Sequence, residues 1–423
     1  MSEKGAFAVT TLLDRTSFGA AANLTCRECG ATYPLGPGNA CEQCFGPLEI
    51  GYDDDLLARV TRESIEAGPR TMWRYGGLLP VEPVVDLQVG GTRLVRADNL
   101  ARELGMKSLW VKDDSGNPTH SFKDRVVAVA ASAAKALGFS VLSCASTGNL
   151  ANAVAAAAAR AGMRSVVFIP HDLEAGKVVT TAVYGGTLVA IEGNYDDVNR
   201  LCAEVSGEQE DWAFVNVNVR PFYAEGSKTI GYEIAEQLGW RLPQQVVVPI
   251  ASGALLTKVD KAWREFGSLG LVDASPYKVF GAQATGCSPV SAAFKAGHDV
   301  VAPVRPSTIA KSLAIGNPAD GIYALDVVRR TGGAIADVSD DEIVDGIQLL
   351  ARTEGIFAET AGGVTVATLR SLLASGELDP AAETVILNTG DGLKTLDAVA
   401  PVAKPTATIA PSLAAFRASG VAS

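Results

Sequence analysis

The chain has 423 residues, 48% of them hydrophobic and 6% aromatic, with a formal net charge of −11. That length points to two or three packed units around large aliphatic cores, and the acidic balance opposes binding to nucleic acid or anionic membrane surfaces. No apolar run reaches bilayer length and the first residues lack a secretory apolar stretch, so the seven cysteines are expected in a reducing cytoplasm, where paired cysteines favour metal over disulfide.

Residues 1–75 read as a separate N-terminal unit. Two pairs, Cys26-x-x-Cys29 and Cys41-x-x-Cys44, lie eleven residues apart in a Gly/Pro-rich stretch. Each pair can wrap one side of a tetrahedral ion, and the turn residues Gly30 and Gly46 follow closely, so the spacing reads as a zinc ribbon. Four thiolates leave no position open for water, which makes the expected zinc structural. A ribbon can bind nucleic acid, but Glu28, Glu42 and Glu49 make this unit acidic.

A strand–helix rhythm occupies the catalytic-length stretch 76–400. Ser108–Lys112 is a short strand, and Asp124–Leu137 a buried helix ending at Gly138. Val141–Cys144 is a strand, Leu150–Ala161 a helix, and Ser165–Ile169 a strand stopped by Pro170. Gly176–Tyr184 is helical, Thr187–Ile191 a strand and Asp196–Val205 a helix. Strands at Phe214–Asn216 and Val246–Ile250 continue the pattern, and Val385–Thr389 is a late strand turning at Gly390. Strands alternating with helices imply right-handed parallel crossovers in open α/β sheets. Residues 401–423 are Ala, Pro, Ser and Thr without strong periodicity and read as a weakly ordered tail.

Four features along this rhythm share one chemistry. Lys123 stands at the mouth of a helix, in Pro118-Thr119-His120-Ser121-Phe122-Lys123-Asp124-Arg125. A lone Lys is ordinarily a solvated charge, but an amine held in place forms an imine with an aldehyde, and pyridoxal 5'-phosphate supplies that aldehyde. Ser146-Thr147-Gly148-Asn149 turns from strand to helix. Its backbone N–H groups suit a substrate α-carboxylate, and the Asn149 amide can donate to the cofactor's 3'-oxygen. Ala251-Ser252-Gly253-Ala254-Leu255 joins another strand to a helix N-terminus, which suits the cofactor phosphate. Thr389 ends the late strand and can hydrogen-bond the pyridine nitrogen.

Read together, these segments resemble the threonine synthases, within the β-family (fold type II) of pyridoxal phosphate enzymes. Ser121–Arg125 resembles the cofactor-Lys motif and Ser146–Asn149 the Asn loop. Gly193–Asp197, Glu225-Gly226-Ser227-Lys228-Thr229, Ile315-Gly316-Asn317-Pro318 and Thr389–Lys394 resemble further segments. The resemblance covers residues 75–400. It implies two open, mainly parallel α/β domains with the active site between them, the smaller substrate domain (roughly 125–230) being inserted in the larger cofactor domain. It implies conversion of O-phospho-L-homoserine and water to L-threonine and phosphate in a homodimer, with Lys123 as catalyst. Ser146, Thr147, Gly148, Arg220 and Lys228 are the implied substrate-binding residues. The same Lys and Asn motifs occur in cysteate and cysteine synthases and threonine dehydratases. A zinc-ribbon regulatory protein on an inactive scaffold is the reading from another class.

The chain departs from the family at three points. Ala251, Ala254 and Leu255 replace a richer phosphate loop, leaving Ser252, Gly253 and Thr257 to form the cradle. Leu150 follows the motif Asn where many members have Thr, and Asn218-Val219-Arg220-Pro221 shifts the register of an upstream Arg. Lys112, Arg125 and Lys177 complete the pool of side chains available to a leaving phosphate, each ordinarily a solvated charge. Lys311 and Glu359 are candidates for the pocket wall. His120 and His171 read as turn or packing residues, and Cys144, Cys202 and Cys287 as small buried apolar groups.

Overall fold

The computed structural model describes residues 18–146 and 148–421. Its strands form three sheets. In the first, β1 (Ala21–Cys26) runs between β2 (Thr32–Tyr33) and β3 (Leu48–Tyr52), antiparallel to both. The second has six strands. β4 (Arg93–Arg96) lies antiparallel on the edge beside β5 (Leu109–Asp113). The third has four parallel strands, β6 (Val141–Ala145), β7 (Arg164–Pro170), β8 (Thr187–Ile191) and β9 (Trp212–Phe214), in the order β8-β7-β6-β9. The chain then returns to the six-stranded sheet with β10 (Gln245–Pro249), β11 (Lys278–Ala284), β12 (Ile335–Val338) and β13 (Thr384–Asn388). These complete the order β12-β11-β10-β13-β5-β4.

Composition explains the layering. Every residue of β6, β10 and β13 is buried, as expected of parallel strands covered by helices on both faces. Each fully buried Val or Ile contributes about 1.5–3 kcal/mol of transfer free energy. β4 has exposed Arg93 and Arg96 at its ends, which suits an edge.

The expected boundaries hold to within a few residues. The β9 region is shorter at its C-terminal end because two asparagines interrupt it. Asn218 Oδ1 accepts from Phe214 N–H at 2.8 Å, and Asn216 turns back onto Ala145. The Tyr195–Glu208 helix is fixed by a capping box between Asn194 and Asp197.

The first sheet is not isolated from the rest. Phe18, Leu24, Leu48 and Ile50 share an apolar cluster with Trp73, Ala128, Val129, Ala133 and Phe222, so β1 and β3 pack on the Lys123–Ala136 helix. Residues 401–421 are exposed, with Ala415 and Ser419 half-buried, and carry one short helix, Leu413–Ala418.

Candidate cofactor and substrate site

The loops that leave the C-terminal ends of β5, β6, β10 and β13 meet in one cleft, where open α/β sheets place their ligands. One chamber encloses about 580 Å³ and is lined by Phe122, Lys123, Asn149, Tyr223, Ala251–Leu255, Ser312, Glu359 and Thr389, among others. It opens into a second of about 860 Å³, where Lys123, Asn149 and Tyr223 meet Ser146, Tyr195, Asp196, Asn216, Arg220 and Asn317. The sequence therefore brings Lys123, Asn149, Thr389 and the whole Ala251–Leu255 loop together, with Ser146 and Arg220 in the adjoining chamber. Thr147 lies outside the described residues.

Lys123 begins the Lys123–Ala136 helix and is half-buried. The loop before it is pinned on both sides. Phe122 N–H donates to the Thr389 carbonyl at 2.9 Å, and Ser121 pairs with Gly390. Asp124 accepts from the Thr119 N–H at 2.8 Å and from its hydroxyl at 2.7 Å. Burial pushes the Asp124 carboxyl up to about 6. This explains the Asp after the motif Lys: it ties the turn that presents Lys123. The Lys123 amine lies 3.2 Å from the Tyr223 hydroxyl.

Tyr223 lines both chambers and leaves no motif of its own. The available signal is its spacing. It follows Arg220 by three positions in the Arg220–Gly226 helix, which puts both side chains on one face.

Asn149 begins the Asn149–Ala161 helix, and its Nδ2 donates to both carboxylate oxygens of Glu359 at 2.9 Å. Its Oδ1 is buried without a partner, a position a bound group can satisfy. Ser146 Oγ accepts from Gly148 N–H at 2.9 Å and Ala151 N–H at 2.8 Å. The Gly148 N–H is thus used locally, as a cap. Gly148 has φ +119, and an added Cβ would lie 2.2 Å from the Lys177 side chain.

The Ala251–Leu255 loop turns at Gly253, with φ +97, into the Ala254–Ser268 helix. The free N–H groups and positive end of such a helix suit a phosphate. An added Cβ at Gly253 would stand 2.6 Å from the Asp320 carbonyl oxygen, so no side chain fits. Thr257 does not join this cradle, because its hydroxyl donates to the Ala254 carbonyl at 2.9 Å.

Several cations expected near the leaving phosphate are used elsewhere. Arg125 is fully buried. Its Nε and Nη2 hold Asp114 at 2.7 and 2.8 Å, and Nη1 and Nη2 hold Glu233 at 2.7 and 2.8 Å. Lys112 also pairs with Glu233, at 2.6 Å. Lys228 is buried between Glu225 at 2.7 Å and Glu265 at 3.0 Å. Arg125 and Lys228 each have two opposite-charge partners, and Lys112 gives its remaining protons to the Thr92 carbonyl and Gln237, so none is left for a ligand. Lys177 is buried beside Glu174 at 3.2 Å. Lys311 faces Asp172 at 3.6 Å in an outer groove that also contains His171, while Glu359 does line the chamber. Arg220 remains in the cleft, held by Asp320 at 2.5 Å, which keeps its guanidinium charged.

The Gly193–Asp197 and Ile315–Pro318 segments meet at the cleft. The Asp196 carboxylate accepts from the Gly316 and Asn317 N–H groups, and burial pushes it above the ordinary carboxylate range.

The four cysteine sulfurs of the first sheet lie within 4.8 Å of one another. Cys26 and Cys44 are 3.5 Å apart, Cys29 and Cys41 3.6 Å, close to the roughly 3.8 Å edge of a tetrahedron with 2.3 Å zinc–sulfur bonds. Glu28 N–H points at Cys26 Sγ and Gln43 N–H at Cys41 Sγ, each at 3.4 Å. Backbone donors on thiolates of this kind suit a structural zinc.

The profile of the pyridoxal-phosphate dependent enzymes matches residues 85–390, and the chain belongs to that family. A threonine synthase from Methanocaldococcus jannaschii is 39% identical over 379 residues, covering 88% of this chain and 93% of its own. One from Methanosarcina acetivorans is 37% identical over 399 residues, covering 93% and 98%. At this identity and coverage the chain is a member of the threonine synthases. The processed form of threonine deaminase isoform 2 from Solanum lycopersicum shares the fold, with a TM-score of 0.61 at 20% identity over 88% of this chain and 99% of that one.

Proposed function

We propose that this chain converts O-phospho-L-homoserine and water to L-threonine and inorganic phosphate with pyridoxal 5'-phosphate. The observation that carries the proposal is the convergence of Lys123, Asn149, Thr389 and the Gly253 cradle on one chamber that opens onto Arg220. The cofactor fits: the Asn149 amide and Thr389 line the chamber beside Lys123, and the loop at Gly253 admits a close approach. Bound there, it supplies an electron sink beside the substrate's amine-bearing carbon.

The chain's own residues do the rest. The Ala251–Leu255 loop holds the cofactor phosphate. Thr389, on the chamber wall, would hydrogen-bond the ring nitrogen, and a hydroxyl there would not enforce ring protonation as a carboxylate does. The Asn149 amide N–H groups, which now face Glu359, would hold the ring's oxygen. Lys123 carries protons to and from Cα and Cβ, and the Tyr223 hydroxyl keeps its amine in place. Ser146, on the wall of the second chamber, would receive the substrate carboxylate through its hydroxyl. Arg220 meets the phosphate as the Cγ–O bond breaks and the electron pair leaves with oxygen, and water then adds at Cβ.

We read the six-stranded sheet as the cofactor domain, the four-stranded sheet as the substrate domain and the cysteine-bearing sheet as a zinc-holding accessory. The cytoplasm is the expected compartment: all seven cysteines are free, and no described helix is long and apolar enough to cross a membrane. A homodimer is proposed on the resemblance to the threonine synthases alone.

Purified protein given phosphohomoserine should release phosphate and form threonine, and phosphoserine with sulfite should give no turnover. Lys123→Ala should lower turnover by roughly 10²–10⁴-fold or more with an unchanged circular dichroism spectrum. A variant that keeps a substantial fraction of wild-type phosphate release refutes the role of Lys123.

A further inference from the structure

Arg27 sits between the first two cysteines of the quartet, yet it reaches Asp320, the carboxylate that holds the cleft's Arg220. Its guanidinium lies 3.5 Å from the centroid of the Tyr323 ring, 3.2 Å from Glu49 and 3.9 Å from Asp320 Oδ1. The other oxygen of Asp320 accepts from Arg220 at 2.5 Å. The Asp320 N–H donates to the Ser252 carbonyl at 2.8 Å, and its carbonyl oxygen is the atom that leaves no room for a Cβ at Gly253. Tyr323, three residues further on, gives its hydroxyl to Glu28, the neighbour of Arg27. The cysteine knuckle therefore grips the start of the Gly321–Thr331 helix at two points. The same helix start abuts the cofactor-phosphate loop and the Arg that faces the substrate.

We propose that Arg27 is a positioning residue for the substrate phosphate. One carboxylate is shared by two guanidinium groups. The Arg27 charge faces one oxygen of Asp320 across 3.9 Å, an electrostatic pull rather than a hydrogen bond, and so biases the carboxylate whose other oxygen holds Arg220. Arg27 also prevents Asp320 from cancelling the charge of Arg220. A lone Arg–carboxylate pair is neutral, whereas a carboxylate between two Arg leaves net positive charge for a phosphate dianion. Glu49 would draw Arg27 away, but Lys258 and Lys261 also face Glu49, at 3.0 and 3.7 Å. The cysteine-bearing sheet thus forms part of the substrate site as well as a structural accessory.

The inference rests on the proposed phosphate role of Arg220, and its test separates the two. Arg27→Gln keeps the volume and removes the charge; Arg27→Lys restores the charge without the planar fork. In the cofactor-loaded enzyme, Arg27→Gln should raise KM for phosphohomoserine about three- to tenfold, with kcat and the visible absorbance of the bound cofactor unchanged. The dissociation constant of inorganic phosphate, measured by calorimetry, should rise by a similar factor, and Arg27→Lys should recover part of both losses. If the wild-type enzyme releases no phosphate from phosphohomoserine, the function proposed above is wrong and this inference goes with it. If wild type is active and Arg27→Gln leaves both constants unchanged, or lowers only kcat or thermal stability, the relay alone is overturned.

Discussion

Glu49 on β3 offers a quantitative test of how the cysteine-bearing sheet is joined to the rest of the chain. Its carboxylate lies 3.0 Å from Lys258, 3.2 Å from Arg27 and 3.7 Å from Lys261. Burial alone would push its carboxyl up. Lys258, Lys261 and Arg27 outweigh that, and the opposing charge of Glu225, and hold it at about 2 against an ordinary 4.5. A displacement of this size is worth about 3 kcal/mol, and partial exposure of the side chain brings it nearer 2. Because the folded value lies below the ordinary one, this stability is whole above about pH 4.5 and is lost as pH falls towards 2. Glu49→Gln removes the titration and leaves Lys258 and Lys261 to Glu225 alone, and Arg27 to Asp320, at every pH. Urea midpoints for both proteins, followed by tryptophan fluorescence from about pH 3 to pH 7, should show a gap that is full at neutral pH and narrows in acid. The other carboxylates titrate in both proteins, so the difference isolates Glu49. A gap equally wide at both ends, or none at pH 7, refutes this account of the junction.

Two further outcomes are expected. Gly253→Ala should weaken cofactor binding by about tenfold, because a positive φ costs a side chain about 1–2 kcal/mol and the new Cβ would press on the Asp320 carbonyl; fluorescence titration of the cofactor-free protein reads this, and unchanged affinity counts against the cradle. Cys26→Ser should lower the thermal midpoint and the zinc content, about one ion per chain in the wild type, while the cofactor's absorbance persists; wild-type protein purified without chelator and found free of zinc by elemental analysis rules the metal out.

What the sequence made legible was what local chemistry dictates. Strand–helix alternation marks β5 to β10 and β13, because parallel strands buried on both faces are apolar throughout. Lys123, Asn149 and the Gly253 turn are legible because each sits where a strand hands over to a helix. β4 is not, since its ends are Arg93 and Arg96 and it has no apolar run. The fates of Arg125, Lys112 and Lys228 were not legible either. A charge shows in the sequence, but its partner does not: Glu233 is 108 residues from Arg125 and 121 from Lys112. The reach of Arg27 to Asp320 was hidden for the same reason, since Tyr323 lies 295 residues from Glu28, the neighbour of Arg27.

The position of β13 constrains the order in which the molecule can be built. The four-stranded sheet uses one continuous stretch of chain, from Val141 to Phe214, and can assemble as soon as that stretch has left the ribosome. The six-stranded sheet cannot. Its central place, between β10 and β5, belongs to a strand that pairs with residues made 275 positions earlier. Until Thr384–Asn388 are made, β5 and β10 present unpaired edges to the cell, the situation in which chains aggregate. The strand that closes this gap also brings Thr389 to the cofactor pocket, so cofactor capture and completion of the sheet fall at the same moment of synthesis.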